Sequence, residues 1–571
     1  MSHDHPHDHP HPHDHAHGEA GLPAPLDTAV PDSELAPSEL GRRRFLQRAG
    51  LLGAGAAAAS VLGPGAGVAA AEDAVVAPRS NPEQTDSFRW LSGDHHIHTQ
   101  FSPDAQYRVI DQVQHANAYG LDWVVITDHG TDQHARIGVE LVNPRIVQAR
   151  NQVKDTLVFQ GLEWNIPAAE HGTVFVHPGP NEVSLLKQFE TDYDGSGPNG
   201  TGTRAPSSPA NEALAVSGLR FLAGAVSNKR VRDALMLANH PARKGIDSPH
   251  EIRGWRDAAP RIAIGMEGAP GHQAAGFPEE YGPGGGRGYY DGAPSADSFP
   301  GYPLESYRTY GGFDWMTSTV GGLWDSLLSE GKPWWITANS DSHAVYGDTS
   351  VRGDENFATN GFYGDPVYSD AAPDLTNGDF WPGYYSRTHV GATDFSYAAV
   401  MAGMRAGRVW VDHGRLVESL DIRLQAGGRE VPLGGVLTAP RGTPVTLSIR
   451  IRTARRPNWS QFVPQLAKVD VIRGDVTGPA RNRDTFRAPG TRVVRSYDTS
   501  GQTDVIILRH QLGRLDTGFY VRLRGSDGNR LGVGLGGPSV DPAGPVQDVV
   551  GDADPWKDLW FYTNPMWVLP A

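Results

Sequence analysis

The chain contains no cysteine. This excludes disulfides, thiolate zinc sites, a cysteine nucleophile and a lipoprotein anchor, so any metal must be held by histidine and carboxylate. Basic residues are also in deficit. There are 50 Lys and Arg against 65 Asp and Glu, a formal charge of −15, and no Lys/Arg run lies in the globular part. That argues against nucleic acid as a partner, because such binding rests on neutralising phosphates. No G-x-S-x-G nucleophile motif occurs, and the one apolar stretch near the start is short and Ala/Gly-rich, which argues against a permanent membrane span. Histidine is sparse as well: 8 of the 23 crowd into residues 3–17, leaving 15 for the rest of the chain.

What is present implies a large globular protein. A length of 571 residues predicts two or three domains. The 14 Trp and 18 Tyr suit packed cores, and the 69 Gly and 44 Pro predict many loops. Residues 1–41 read as a disordered, His-rich N-terminus whose tract MSHDHPHDHPHPHDHAH binds metal weakly, and which could concentrate metal near the nascent protein. Residues 42–71 read as a signal peptide, with Arg42, Arg43, Phe45 and Leu46 resembling the twin-arginine motif, although Gly41 replaces the usual Ser or Thr. This predicts the twin-arginine export machinery as a partner and a secreted or cell-envelope location. Residues 72–87 form a polar linker.

From Phe88 to Asp412, apolar runs alternate with helix-like segments. LDWVVITDHG, TLVFQGLEWN, GTVFVHPG, ALMLANHPAR, RIAIGMEG and KPWWITANSDSH each end in polar residues, as strands of a parallel barrel or doubly wound sheet do. VIDQVQHANAYG has helical spacing and a stop at Gly120. Stretches at 194–209, 281–301 and 346–386 read as long loops, and TDFSYAAVMAGMRAGRVWVDHG as a closing helix and strand. Residues 413–571 alternate apolar and polar positions and predict an all-β, sandwich-like domain.

The chemistry-bearing residues fall at the ends of these runs. His96 and His98 are spaced to point to one side of a strand, with His95 and Ile97 on the other. Asp128 and His129, Glu163, His171, His240, and Asp341 and His343 come from other segments, nearly all at C-terminal strand ends, where barrels of βα units carry their active sites.

HHIHT with Ser102 and Asp104, ITDHG, GLEW, ANHP and ANSDSH, taken in this order over residues 88–345, resemble the motifs of the PHP (polymerase and histidinol phosphatase) superfamily of metal-dependent hydrolases. The segment from Tyr397 to Gly414, the β-module and YTNPMWV add a likeness to exported members of the carbaryl-hydrolase kind. The resemblance implies a distorted (β/α)7 barrel at 88–412 with two or three divalent ions, Zn, Mn or Fe. Carried over, His96, His98 and Asp341 would bind one ion. Glu163 would bridge to a second held by His171 and His240, and Asp104, His129 and His343 would serve a third. Asp104 stands where the family can have His. His177, six residues beyond His171, is the alternative on the same strand, and the resemblance favours His171.

The implied reaction is hydrolysis of a small-molecule ester, foremost a phosphoric ester, by a metal-bridged hydroxide. The alternatives are carboxyl-ester, carbamate or amide hydrolysis at the same site, or a catalytically idle wall- or carbohydrate-binding protein. Asp128 would orient a histidine or cap a helix, the former preferred. Arg243 would clamp a phosphate or be a solvated loop residue. Glu267 or His272 would protonate the leaving group or line the pocket. His389 and His413 read as structural. The sequence leaves the oligomeric state open.

Overall fold

A computed structural model describes residues 88–196, 208–290, 292–354, 356–529 and 543–571, with 531, 532 and 541. The expected His-rich N-terminus, signal peptide and linker lie outside the described residues. Among those described, no helix is long and apolar enough to cross a membrane.

Seven strands of the N-terminal part lie side by side in chain order: β1 (Arg89–Asp94), β2 (Trp123–Ile126), β3 (Leu157–Asn165), β4 (His171–Val176), β5 (Ala234–Ala238), β6 (Ala263–Ala269) and β7 (Trp335–Ala338). β2 to β7 each coincide with one of the six apolar runs and are buried at every position, as strands covered on both faces must be. Between them run α1 (Val109–Ala118), α2 (Val139–Gln152), α3 (Glu182–Tyr193), α4 (Pro209–Ser227), α5 (Pro249–Ala258) and α6 (Leu323–Ser329). The Gly120 stop is in place, with a φ of 88° just after α1. Ser248 caps α5 reciprocally with Glu251, and Pro249 occupies the first turn.

The order departs from an all-parallel arrangement at one strand. β1, β2 and β3 are parallel and β5, β6 and β7 are parallel, whereas β4 runs antiparallel to both its neighbours. His171 opens β4, so the reversal lays it beside Asn165 at the C-terminal end of β3.

Among the described residues, no named strand pairs with the outer edge of β7. The ladder of strands continues from β1 to β8 (Ser386–Ala392) and β9 (Val409–His413), both antiparallel, while β7 ends the other side. The outer edge of β7 is satisfied by side chains: Asn564 accepts from Ile336 N at 2.8 Å and donates to Ile336 O at 3.1 Å. Thr388 does the same for Ala338, at 2.8 and 2.6 Å. A parallel bridge between Ile97 and Ser342 links the segments that follow β1 and β7. α7 (Tyr397–Arg405) joins β8 to β9, the helix and strand read from TDFSYAAVMAGMRAGRVWVDHG.

Beyond β9 the chain is β-rich. β10 (Val417–Ala426), β11 (Arg429–Pro432), β13 (Pro444–Thr453) and β16 (Val505–Arg514) form a sheet in the order β11-β10-β13-β16. β12 (Val436–Ala439), β14 (Lys468–Asp475), β15 (Arg492–Asp498), β17 (Phe519–Ser526), β18 (Trp560–Thr563) and β19 (Met566–Pro570) instead extend the large sheet, entering it where β18 pairs with β9. Leu420, Ile422 and Leu424 of one sheet and Val469, Val471, Val521 and Leu523 of the other share one apolar core, the layered packing expected of a sandwich.

Candidate metal centre

The ends of β1, β2, β3, β5 and β7 and the start of β4 deliver the predicted ligands to one place. His96 and His98 follow β1 two residues apart, and their Nε2 atoms lie 3.0 Å from each other. Ile97 between them packs into the core, and His95 turns away to Thr337 at 2.8 Å and Thr173 at 3.2 Å. Glu163 sits at the middle of the cluster. Its Oε1 is 3.1 Å from His96 Nε2, 3.1 Å from His171 Nδ1 and 3.2 Å from His240 Nε2. Its Oε2 is 3.4 Å from His98 Nε2 and 3.2 Å from His129 Nε2. Asp341 Oδ1 lies 3.1 Å from His96 Nε2 and 3.2 Å from His98 Nε2, and 3.6 Å from His343 Nδ1. Asp104, the exposed member, reaches the Nε2 atoms of His129 and His343, both at 3.5 Å. All nine residues expected as ligands therefore converge. His177 does not: it lies past the far end of β4 and bonds Pro178 O.

The donor chemistry fits divalent cations. Asp341 Oδ1 is buried and makes no hydrogen bond despite touching imidazole nitrogens, as expected when lone pairs aim at a common centre. Trios such as His96/His98/Asp341, His98/Asp104/His343 and His129/Glu163/His171 have ligand atoms within 4.8 Å of one another. A set of imidazoles and carboxylates without thiolate suits Zn, Mn or Fe. Burial and the neighbouring His343 push His98 down to about 3, and burial and Arg243 push His240 down to about 3. Carboxylates instead outweigh burial and raise His96 beside Asp341, His171 beside Glu163 and His343 beside Asp104. Burial opposes charge on Glu163, but His171, His96 and His129 outweigh it and hold the carboxyl well below its usual range.

The other sequence expectations are redistributed. Asp128 does not orient a histidine: its Oδ1 accepts from Thr99 N at 2.6 Å and from Thr99 Oγ1 at 3.0 Å, tying the loop after His98 to the end of β2. Glu267 is not placed to meet a leaving group. It is fully buried behind the cluster, bonded to His96 Nδ1 at 2.7 Å and accepting from His240 N at 2.6 Å. Arg243 and His272 do line the cavity, about 310 Å³ in volume, together with Tyr289, Asn377 and Asp379. Arg243 Nε is buried without a hydrogen-bond partner. His389 is structural, stacked on Trp410 at 3.6 Å between centroids and bonded to Asp412 at 2.9 Å, and His413 packs between Phe313 and Tyr385.

Residues that sequence reasoning missed are Glu170, Asn239 and Asp379. Glu170 directly precedes His171 and forms a ligand-type trio with His171 and His240, a signal that adjacency offered. Asn239 donates to Glu163 Oε1 at 3.0 Å. Asp379 comes from the 346–386 insertion, where no spacing marked it, and bonds His272 Nδ1. Backbone strain marks the same place. Of the nine described non-glycine residues with positive φ, four line this cavity: His240, His272, Tyr289 and Asp341, at 30°, 53°, 57° and 48°. Strain of this kind persists where the surrounding structure over-determines it, commonly at functional sites.

No curated protein matches the chain. Among solved structures, it is similar to a two-domain protein from Bacteroides vulgatus that contains a predicted PHP-like metal-dependent phosphoesterase, at 14% identity and a TM-score of 0.32, covering 83% of this chain and all of that one. It is also similar to a candidate metal-dependent phosphoesterase from Bifidobacterium adolescentis, at 17% identity and a TM-score of 0.18, covering 31% of this chain and 76% of that one. Residues 94–196 match the family model of the PHP domain, and this matched stretch supplies six of the nine converging residues, from His96 to His171.

Proposed function

We propose that the chain is a PHP-type metal-dependent hydrolase whose preferred substrates are phosphoric esters. The observation that carries this reading is the convergence of nine His, Asp and Glu side chains from six strand ends into one cluster, with Glu163 and Asp341 at its middle. His96, His98 and Asp341 would hold one cation, and Glu163 would link it to a second on His171 and His240. Asp104, His129 and His343 would hold a third. Such ions supply Lewis acidity, which acidifies water and neutralises charge developing on phosphoryl oxygens.

The protein's own groups do the rest. Arg243, with its Nε buried and unpartnered at the cavity wall, is placed to bind an anionic oxygen and orient the ester. Tyr289 and Asn377 line the same cavity. No cysteine or G-x-S-x-G serine offers a covalent route, consistent with attack by water. Export belongs to this reading as well, resting on the Arg42–Arg43 segment and the Ala/Gly-rich stretch after it.

The test is a screen of purified protein, stripped by chelator and refilled with Zn, Mn or Fe, on aryl phosphate mono- and diesters beside aryl carboxyl esters and carbamates. Cation-dependent phosphate-ester hydrolysis is expected, reduced by Arg243→Ala. Turnover of carboxyl esters or carbamates alone would refute the phosphoric-ester assignment and leave the metal hydrolase standing.

A further inference from the structure

We propose that His272 is a further ligand of the cation cluster, fixed by Asp379, and not a proton donor to the leaving group. The assignment rests on the cation-binding reading above and adds two residues to it.

The loop after β6 brings His272 against Asp341. Gly271 makes this possible, since a Cβ there would fall 2.1 Å from the Asp341 Cβ. His272 itself takes a left-handed conformation, φ 53° and ψ 38°, which turns its ring into the cavity. Its Nε2 lies 2.8 Å from Asp341 Oδ2, and its ring centroid is 5.3 Å from that of His343. The ligand atoms of His272, Asp341 and His343 lie within 4.8 Å of one another.

The two nitrogens of His272 repeat the arrangement at His96. In His96, Nδ1 is engaged by the Glu267 carboxylate and Nε2 faces Asp341 Oδ1 at 3.1 Å. In His272, Nδ1 is engaged by the Asp379 carboxylate and Nε2 faces Asp341 Oδ2. A carboxylate behind Nδ1 keeps the hydrogen on that nitrogen and leaves a lone pair on Nε2, the usual support for a metal-bound histidine. Asp341 then carries a histidine on each oxygen. A general acid would need a hydrogen directed at the substrate, and this ring directs its Nδ1 hydrogen at Asp379.

Asp379 is a positioning residue for both sides of this corner. Its Oδ2 accepts from His343 N at 2.6 Å and from Ala344 N at 2.8 Å, so one carboxylate sets the His272 ring and the segment carrying His343.

Cobalt(II) titration of the chelator-stripped full chain tests this. His272→Gly suits the left-handed backbone, and circular dichroism verifies that the variant folds. It should lose one cobalt equivalent, or bind one at least 100-fold more weakly, with altered d–d absorption, and added imidazole should restore both. Asp379→Asn should weaken that equivalent 10- to 100-fold. A His272→Gly protein that matches the parent in cobalt number, affinity and spectrum would overturn the assignment and leave the parent reading intact. A parent chain that binds no cobalt would overturn both.

Discussion

Replacing Glu267 by Gln changes one atom and should nevertheless weaken the cation cluster. The Glu267 carboxylate serves two donors, His96 Nδ1 at 2.7 Å and His240 N at 2.6 Å, and it is fully buried, so water cannot substitute. A glutamine offers one acceptor oxygen and one amide donor. If its oxygen keeps the His240 N–H, its amide faces His96 Nδ1, which must become an acceptor. The ring hydrogen then moves to Nε2, the atom 3.1 Å from both Glu163 and Asp341, and His96 loses the lone pair it would give to a cation. If the amide is turned over instead, two donors meet at His240 N and a buried N–H is left unpaired, at a cost of about 1–3 kcal/mol. Loss of such outer partners typically lowers metal affinity 10- to 100-fold, or about 1.4–2.7 kcal/mol. Competition against a chelator of known affinity measures this directly, with circular dichroism to verify folding. Affinity within threefold of the parent in the folded variant would refute the tautomer argument.

Three further outcomes follow from buried pairs and from the cavity wall. Asp325 in α6 accepts from Arg522 Nε at 2.9 Å and Nη2 at 2.8 Å with both side chains fully buried, so Asp325→Ala should cost about 3–5 kcal/mol in urea unfolding. The double change Asp325→Leu with Arg522→Met should recover most of that, and an additive loss would contradict it. Burial opposes charge on Asp412, but Arg387 and His389 outweigh it and hold its pKa at about 2, below the ordinary 3.8. A carboxyl depressed on folding contributes stability that is complete above the unfolded value and is lost as pH falls from about 4 toward 2. The amount is about 2 kcal/mol, which Asp412→Asn should remove from the acid unfolding profile. Arg243→Ala should raise KM for a phosphate ester at least tenfold while leaving cation content unchanged, checked by steady-state kinetics beside metal analysis.

Much of the fold was legible because buried strands announce themselves. WVVIT, ALMLA and KPWWITA are apolar at nearly every position, and the structure makes each a strand at the expected place. The reversal of β4 was not legible, since a strand buried on both faces carries the same pattern in either direction. That reversal is why His171, at the start of its run, joins residues from the ends of theirs. The open edge of β7 was hidden for a similar reason. Its partners Asn564 and Thr388 are single side chains 228 and 50 residues away in the sequence, and no periodicity marks them. The site was legible where strand ends and motifs coincide, as at His96, His98 and Asp341. It was illegible at Asp379, which reaches the cavity from an insertion, and at Glu267, whose carboxylate faces His96 and not the cavity.

The central claim is that these side chains hold cations. Metal analysis of the purified full chain, before and after chelation and refilling, addresses it most directly. The account predicts at least two tightly held equivalents of Zn, Mn or Fe per chain, falling sharply in Glu163→Gln. Less than one equivalent of any of these ions in the folded parent, after refilling, would contradict it.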